Sequence, residues 1–131
     1  AFAVRIAGSM KVDAKLGGKI VSSNGDVNAD AWGKPAEWVD YHGPIDGETV
    51  GIAIMTHPTN HKAKPRWHVR DYGLFAVNPF GAAVYSNGKE KGGLEIAEGV
   101  PVFQRYRLLI HKGDHETADI ASDYERYAES D

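Results

Sequence analysis

Apolar residues recur at every second position through several short runs of this chain. Phe2, Val4 and Ile6 alternate with Ala3, Arg5 and Ala7 before Gly8-Ser9 ends the run, which is the period of a half-buried strand. A weaker alternation continues from Met10 to Leu16. Gly17-Gly18 then turns the chain into a short strand at Lys19 to Ser22, and Asn24-Gly25 is a tight-turn signal because both residues tolerate positive φ. Asp26 to Pro35 is polar and without period, so it predicts a long loop with one helical turn after Asn28. Ala36 to His42 predicts a strand with Trp38, Asp40 and His42 on one face and Glu37, Val39 and Tyr41 on the other. A turn over Gly43-Pro44-Ile45-Asp46-Gly47 leads into Thr49 to Met55, completing a hairpin. His57-Pro58 breaks that strand, and a loop runs to Pro65.

The run from Arg66 to Gly81 organises the rest. Read as an extended strand, it puts Trp67, Val69, Asp71 and Gly73 on one face and His68, Arg70 and Tyr72 on the other, closed by the turn Asn78-Pro79-Phe80-Gly81. Ala82 to Tyr85 and Lys89 to Ala97 predict another hairpin or a hinged loop, and Pro101 to His111 a last strand. Asp114 is a candidate N-cap for one helix, along which Ala118, Ala121, Tyr124 and Ala128 recur at helical spacing, with Ile120 and Tyr127 widening the stripe. The pattern predicts a mainly β chain, an antiparallel β-sandwich with one C-terminal α-helix.

Length and composition narrow this further. At 131 residues the chain is expected to be one domain, residues 1–131. It opens in mid-pattern without an initiator Met or a signal peptide, which suggests a processed product or a fragment of a longer protein. A net charge of -3 offers no general attraction to nucleic acid or to an anionic membrane. No apolar run reaches the ~20 residues of a spanning helix. The absence of cysteine excludes disulfides and thiolate chemistry. Compartment is left open by it.

The candidate chemistry lies in and around the central run. Buried polar groups are costly unless paired, so this density predicts either a closed hydrogen-bond network or a site that grips a polar ligand. His57 and His61 with His68 or Asp71 offer nitrogen and oxygen ligands of zinc or iron type, but the Pro58-containing loop removes the helical rationale for that spacing. General acid-base work on a sugar or polyol needs an imidazole, a carboxylate, a group that holds oxygens and a ring that stacks on C-H groups. His57, His68, Arg70 and Asp71 are the catalytic candidates, with Trp38, Trp67, Tyr72 and Asn78 as substrate-binding candidates. The structural alternative makes Trp38 and Trp67 core, pairs Arg70 with Asp71 or Asp40, and uses Asn78 to cap its turn.

Several of these segments together resemble one family. They are Ala31-Trp32-Gly33-Lys34, Trp38-Val39-Asp40-Tyr41 with Gly43-Pro44, His57-Pro58 with Asn60, Trp67 through Ala76, Asn78-Pro79-Phe80-Gly81, and Tyr106-Arg107 with His111 and Gly113-Asp114. They look like the PmoA-like family of bacterial proteins, labelled methane oxygenase. The resemblance covers nearly all of the chain but only the C-terminal half of a usual member. It implies a supersandwich of the galactose-mutarotase type, whose members bind or transform carbohydrates, and members are often exported.

Three functional expectations follow. The first is carbohydrate binding or processing in a polar, aromatic cleft, without a cofactor, in which His57 or His68 carries the proton, Arg70 clamps an oxygen and Trp67 is the stacking platform. The second is a non-catalytic structural module. The third is metal-dependent oxidation, as the family label suggests. The expected partner is a small molecule or glycan, with no nucleic acid and no membrane. A homo-oligomer through a sheet edge or the face of Phe103 and Leu109, or contact with the missing N-terminal half, is expected as well.

Overall fold

Alternation and turn chemistry resolve into two antiparallel sheets in the computed structural model, which describes all 131 residues. The smaller sheet contains β1 (Phe2–Arg5), β5 (Arg66–Val69) and β6 (Leu74–Asn78), in the order β1-β6-β5. The larger contains β2 (Lys19–Ser22), β3 (Trp38–Ile45), β4 (Glu48–Thr56) and β7 (Tyr106–Lys112), in the order β2-β3-β4-β7. The chain is mainly β and sandwich-like, with its one long helix, α2 (Ile120–Ala128), near the C-terminus; α1 (Ala82–Tyr85) is a single turn. No helix is long and apolar enough to cross a membrane.

The core lies between the sheets. Trp67, Val69, Phe75 and Val77 of the smaller sheet meet Ile20, Val39, Tyr41 and Ile54 of the larger, and all eight are buried. A second apolar cluster forms on the far face of the larger sheet, where Trp38, Ala53 and Met55 receive Ile120 of α2, with Leu109, Tyr124 and Tyr127 at its margin. Burying a side chain of this size contributes roughly 1.5–3 kcal/mol, so Ile120 is the main apolar fastening of α2. The middle of the larger sheet is thus covered on both faces. That is why Val50 to Met55 of β4 reads as a continuous apolar run.

The structure departs from the sequence pattern in five places. Gly43, Pro44 and Ile45 belong to β3, and the hairpin turns on Asp46-Gly47 alone, with φ of 51° and 82°. Two positive-φ residues make the two-residue turn that matches strand twist. The run from Arg66 is not one strand but a hairpin. The Arg70 N–H donates to the Leu74 carbonyl at 2.8 Å and the Gly73 N–H to the Arg70 carbonyl at 3.1 Å, with Gly73 at φ 99°. In place of the alternation from Met10 to Leu16 stand two 3-10 turns, Gly8–Met10 and Val12–Ala14, and the segment lies across β3, where a Cβ on Gly43 would stand 2.7 Å from the Met10 Cα.

No strand forms between Ser86 and Arg105, and β7 begins only at Tyr106. Gly93 and Gly99 take positive φ there and Pro101 has no N–H for a ladder. Phe103 is therefore exposed in a loop while Leu109 packs beside α2, and the two share no face. Finally, Asp114 Oδ1 accepts from the Thr117 N–H at 2.8 Å and caps a turn, whereas α2 starts six residues later, at Ile120, with Asp119 as its cap.

Candidate functional site

Splitting the central run into β5 and β6 keeps its two-sided character. Trp67 and Val69 point into the core, and Arg66, His68 and Arg70 point away from it, opposite Asn78, Ala76 and Leu74 of β6. The outer face of the smaller sheet therefore gathers five of the eight candidate residues, His68, Arg70, Asp71, Tyr72 and Asn78. Trp67 cannot serve as a stacking platform. It is fully buried, and its indole N–H donates to the Ala36 carbonyl at 3.0 Å.

The ring that flanks this face is Trp32, in the polar loop between β2 and β3. Asn28, at φ 53°, anchors the loop by accepting the Ile20 N–H on its Oδ1 at 2.9 Å. The Gly33 N–H donates to the Trp67 carbonyl at 2.7 Å, and Arg66 donates to the Gly33 carbonyl at 2.8 Å while pairing with Glu90 at 3.0 Å. Trp32 is held against the sheet by these bonds. Its indole N–H donates to His68 Nδ1 at 3.1 Å, and the Tyr85 hydroxyl donates to the same nitrogen at 3.3 Å. Asn78 in turn donates to Tyr85 at 3.4 Å and accepts the Phe80 N–H on its Oδ1.

An indole N–H can only donate, so Nδ1 of His68 carries the lone pair and Nε2 carries the hydrogen. Burial, and then the charge of Arg70, lower the pKa of His68 below its ordinary value. His68 is thus a neutral ring whose Nε2–H has no protein acceptor.

Arg70 is the second uncommitted group. Its guanidinium lies 5.6 Å from the Trp32 ring centroid and 5.7 Å from that of Tyr72, a cation held by aromatic faces. It takes part in no ion pair and no side-chain hydrogen bond. Trp32, Arg70 and Asp71, with Ala29 and Val69, line a hollow of about 110 Å³. Larger hollows exist elsewhere. One of about 330 Å³ lies among His61, Lys62 and the 91–95 loop, and one of about 390 Å³ lies beside Ser22, Trp38 and His115. Volume favours those two, but neither joins an aromatic clamp to a partly buried charged group left without a partner.

Two other polar clusters are closed. His57 is buried at the end of β4, where its Nε2–H donates to the Ser130 carbonyl at 2.9 Å and its Nδ1 accepts from Thr59 at 2.8 Å. Arg105 Nη2 stands 2.8 and 2.9 Å from the two ring nitrogens, which places it over the face of the ring rather than in its plane. His57 clasps the C-terminal segment and is not beside His68. Trp38 is buried under α2. His61 stacks on Phe80 at 6.4 Å, so the histidines considered as ligands occupy three different environments. No group of three or more His, Asp or Glu side chains is arranged to hold a metal ion.

The remaining cluster was not legible from sequence. Asp40, wholly buried, accepts from His42 Nδ1 at 2.7 Å and from His111 Nε2 at 2.5 Å. His42, Gly51 and His111 stand in one row across β3, β4 and β7. A Cβ on Gly51 would come within 2.5 Å of the His111 ring, so the missing side chain is what admits the imidazole. Burial pulls the His111 pKa down, but the hydrogen bond and charge of Asp40, with the carbonyls of Lys112 and Gly113, outweigh it and leave the value raised. The His115 ring stacks on His42 at 5.7 Å and helps cover the pair.

No curated protein and no solved structure matches this chain. Residues 1–125, however, match the model of a family of unknown function, DUF6807, and the chain belongs to that family.

Proposed function

We propose that the outer face of the smaller sheet binds carbohydrate, with Arg70 and Asp71 as the polar grip and Trp32 and Tyr72 as the aromatic walls. The observation that carries this reading is the state of Arg70, clamped between two rings, beside a hollow, with every N–H donor unspent. A guanidinium offers paired donors to neighbouring hydroxyl oxygens, and the Asp71 carboxylate, exposed in the same hollow, offers acceptors. The Nε2–H of His68 adds a further donor. Sugars need this mixture of donors, acceptors and flat apolar surface. The resemblance to the PmoA-like family and to mutarotase-type sandwiches points to the same ligand class, by analogy of fold.

Within this reading His68 is a hydrogen-bond donor rather than a base, because its one basic nitrogen already accepts from two donors. On this face the Asp71 carboxylate, and not His68, is the group free to act as a base. A structural role is the better reading for His57 and for Asp40 with its two imidazoles, since those groups are satisfied by one another.

The test is an NMR titration of the full chain with short neutral and acidic oligosaccharides, following the Trp32 indole N–H resonance. Binding should shift that resonance, and Arg70→Ala should abolish the response while leaving the thermal midpoint within a few degrees. A set of oligosaccharides that leaves the Trp32 resonance unmoved at millimolar concentration overturns the proposal.

A further inference from the structure

We infer that the sugar held at this face carries a carboxylate, a hexuronic acid unit, with its carboxylate received between Arg5 and Arg70. The inference rests on the carbohydrate reading above and adds the charge of the ligand. The chain has six arginines. Arg66 pairs with Glu90, Arg107 and Arg126 both pair with Asp123, and Arg105 is spent on His57 and Thr59. Arg5 and Arg70 are the two without an acceptor. They are also the two that converge, on either side of one residue.

The convergence follows from strand register. Arg5 of β1 stands opposite Leu74 of β6, and the Arg70 N–H bonds to the carbonyl of the same Leu74 from the other side. The two arginines thus occupy one row of the outer face, two strand spacings apart, or roughly 10 Å between backbones. Both side chains reach the Tyr72 ring, with the Arg5 guanidinium 6.0 Å and the Arg70 guanidinium 5.7 Å from its centroid. Two cations drawn to one ring repel each other, and no protein carboxylate lies within ion-pair distance of either. Asp71 lines the hollow but pairs with neither guanidinium.

A carboxylate is the ligand group that resolves this arrangement. It is planar, takes paired N–H donors from one guanidinium, and has a second oxygen edge for the other. The rest of a uronic acid supplies hydroxyls for Asp71 and for the His68 Nε2–H. A neutral hexose has the hydroxyls but leaves the two cations unneutralised. The net charge of -3 makes the point sharper, because this spot is cationic on a protein that is anionic as a whole.

The experiment is a calorimetric titration of the full chain with galacturonic and glucuronic acid oligomers, set against galactose and glucose oligomers of the same length and against sodium acetate. The uronic acids should bind about tenfold more tightly than their neutral counterparts, and added salt should narrow the gap. Arg5→Ala, a change at an exposed position, should cost the uronic acids roughly two- to fivefold and leave neutral sugars alone. Arg70→Gln should weaken both. Equal affinity for acidic and neutral oligomers overturns this inference and leaves the carbohydrate reading standing. Failure of every sugar to bind overturns both. Acetate that binds as tightly as the uronic acids overturns the sugar and leaves a bare anion site.

Discussion

Replacing Gly51 by alanine tests whether the row His42–Gly51–His111 is built around the imidazole of His111. The added methyl would sit 2.5 and 2.6 Å from Cε1 and Nε2 of that ring and 2.9 Å from the Cβ of His42. All three separations are shorter than van der Waals contact. The ring is the freer side to move, and moving it breaks its hydrogen bond to Asp40, leaving a wholly buried carboxylate with one donor in place of two. Loss of a hydrogen bond to a buried charged group costs about 1.5–3 kcal/mol, and residual crowding adds about 1 kcal/mol. Relief of glycine's backbone entropy offsets roughly 0.5–1 kcal/mol of this. The net expectation is a destabilisation of about 2–3 kcal/mol, seen as a lower urea midpoint at unchanged slope. The double variant Gly51→Ala with His111→Ala should lose clearly less than the sum of the two single losses, because removing the ring makes room for the methyl. A Gly51→Ala protein within about 0.5 kcal/mol of the parent, or strict additivity in the double variant, refutes the reasoning.

Two further outcomes are expected away from the outer face of the smaller sheet. Because the His111 pKa is raised, the folded protein keeps a proton that the unfolded chain releases near pH 6.5. The stability contributed by the His111–Asp40 pair is therefore full below about pH 6.5 and falls as pH rises through the folded value. Urea midpoints measured from pH 5.5 to 8.5 should show this decline in the parent and a flatter course in His111→Gln, and identical slopes would exclude it. His57→Leu should free the carbonyl of Ser130 and cost about 1–3 kcal/mol, with amide exchange at 127–130 accelerating more than in β3 or β4. Uniform acceleration would show that His57 does not act as the clasp.

The two-sidedness of the central run was legible in the sequence, since alternation separates Trp67 and Val69 from His68 and Arg70 whatever the surroundings. Which side faces inward was not, because both carry a large ring or a charge. The partner sheet decided it by supplying Ile54, Val39 and Tyr41 to one side only. The break at Arg70–Gly73 was missed for a local reason. Asp71-Tyr72-Gly73 lacks the Asn-Gly or Asp-Gly pair that marks a two-residue turn, and only the Gly73 conformation identifies it. Trp32 was hidden because a single aromatic in an irregular loop has no period, although an indole in so polar a stretch was itself a signal. Asp40 and His42 were placed on one face correctly. Their meeting with His111 depends on β7 lying beside β4, and no local pattern encodes that neighbour.

The order β1-β6-β5 has a kinetic consequence. The outer face of the smaller sheet is assembled from Arg5 near the start of the chain, Trp32 in a loop and the Arg70 hairpin, so none of it exists until distant segments have met. Such non-local closure is slow to form. β1 is a four-residue edge strand held on one side only, so its detachment is a low-energy opening of the native state. A bound uronic acid that bridges Arg5 to Arg70 would oppose that opening. Occupancy would then be readable as slowed proton exchange along the first strand, far in sequence from the tryptophan beside the ligand.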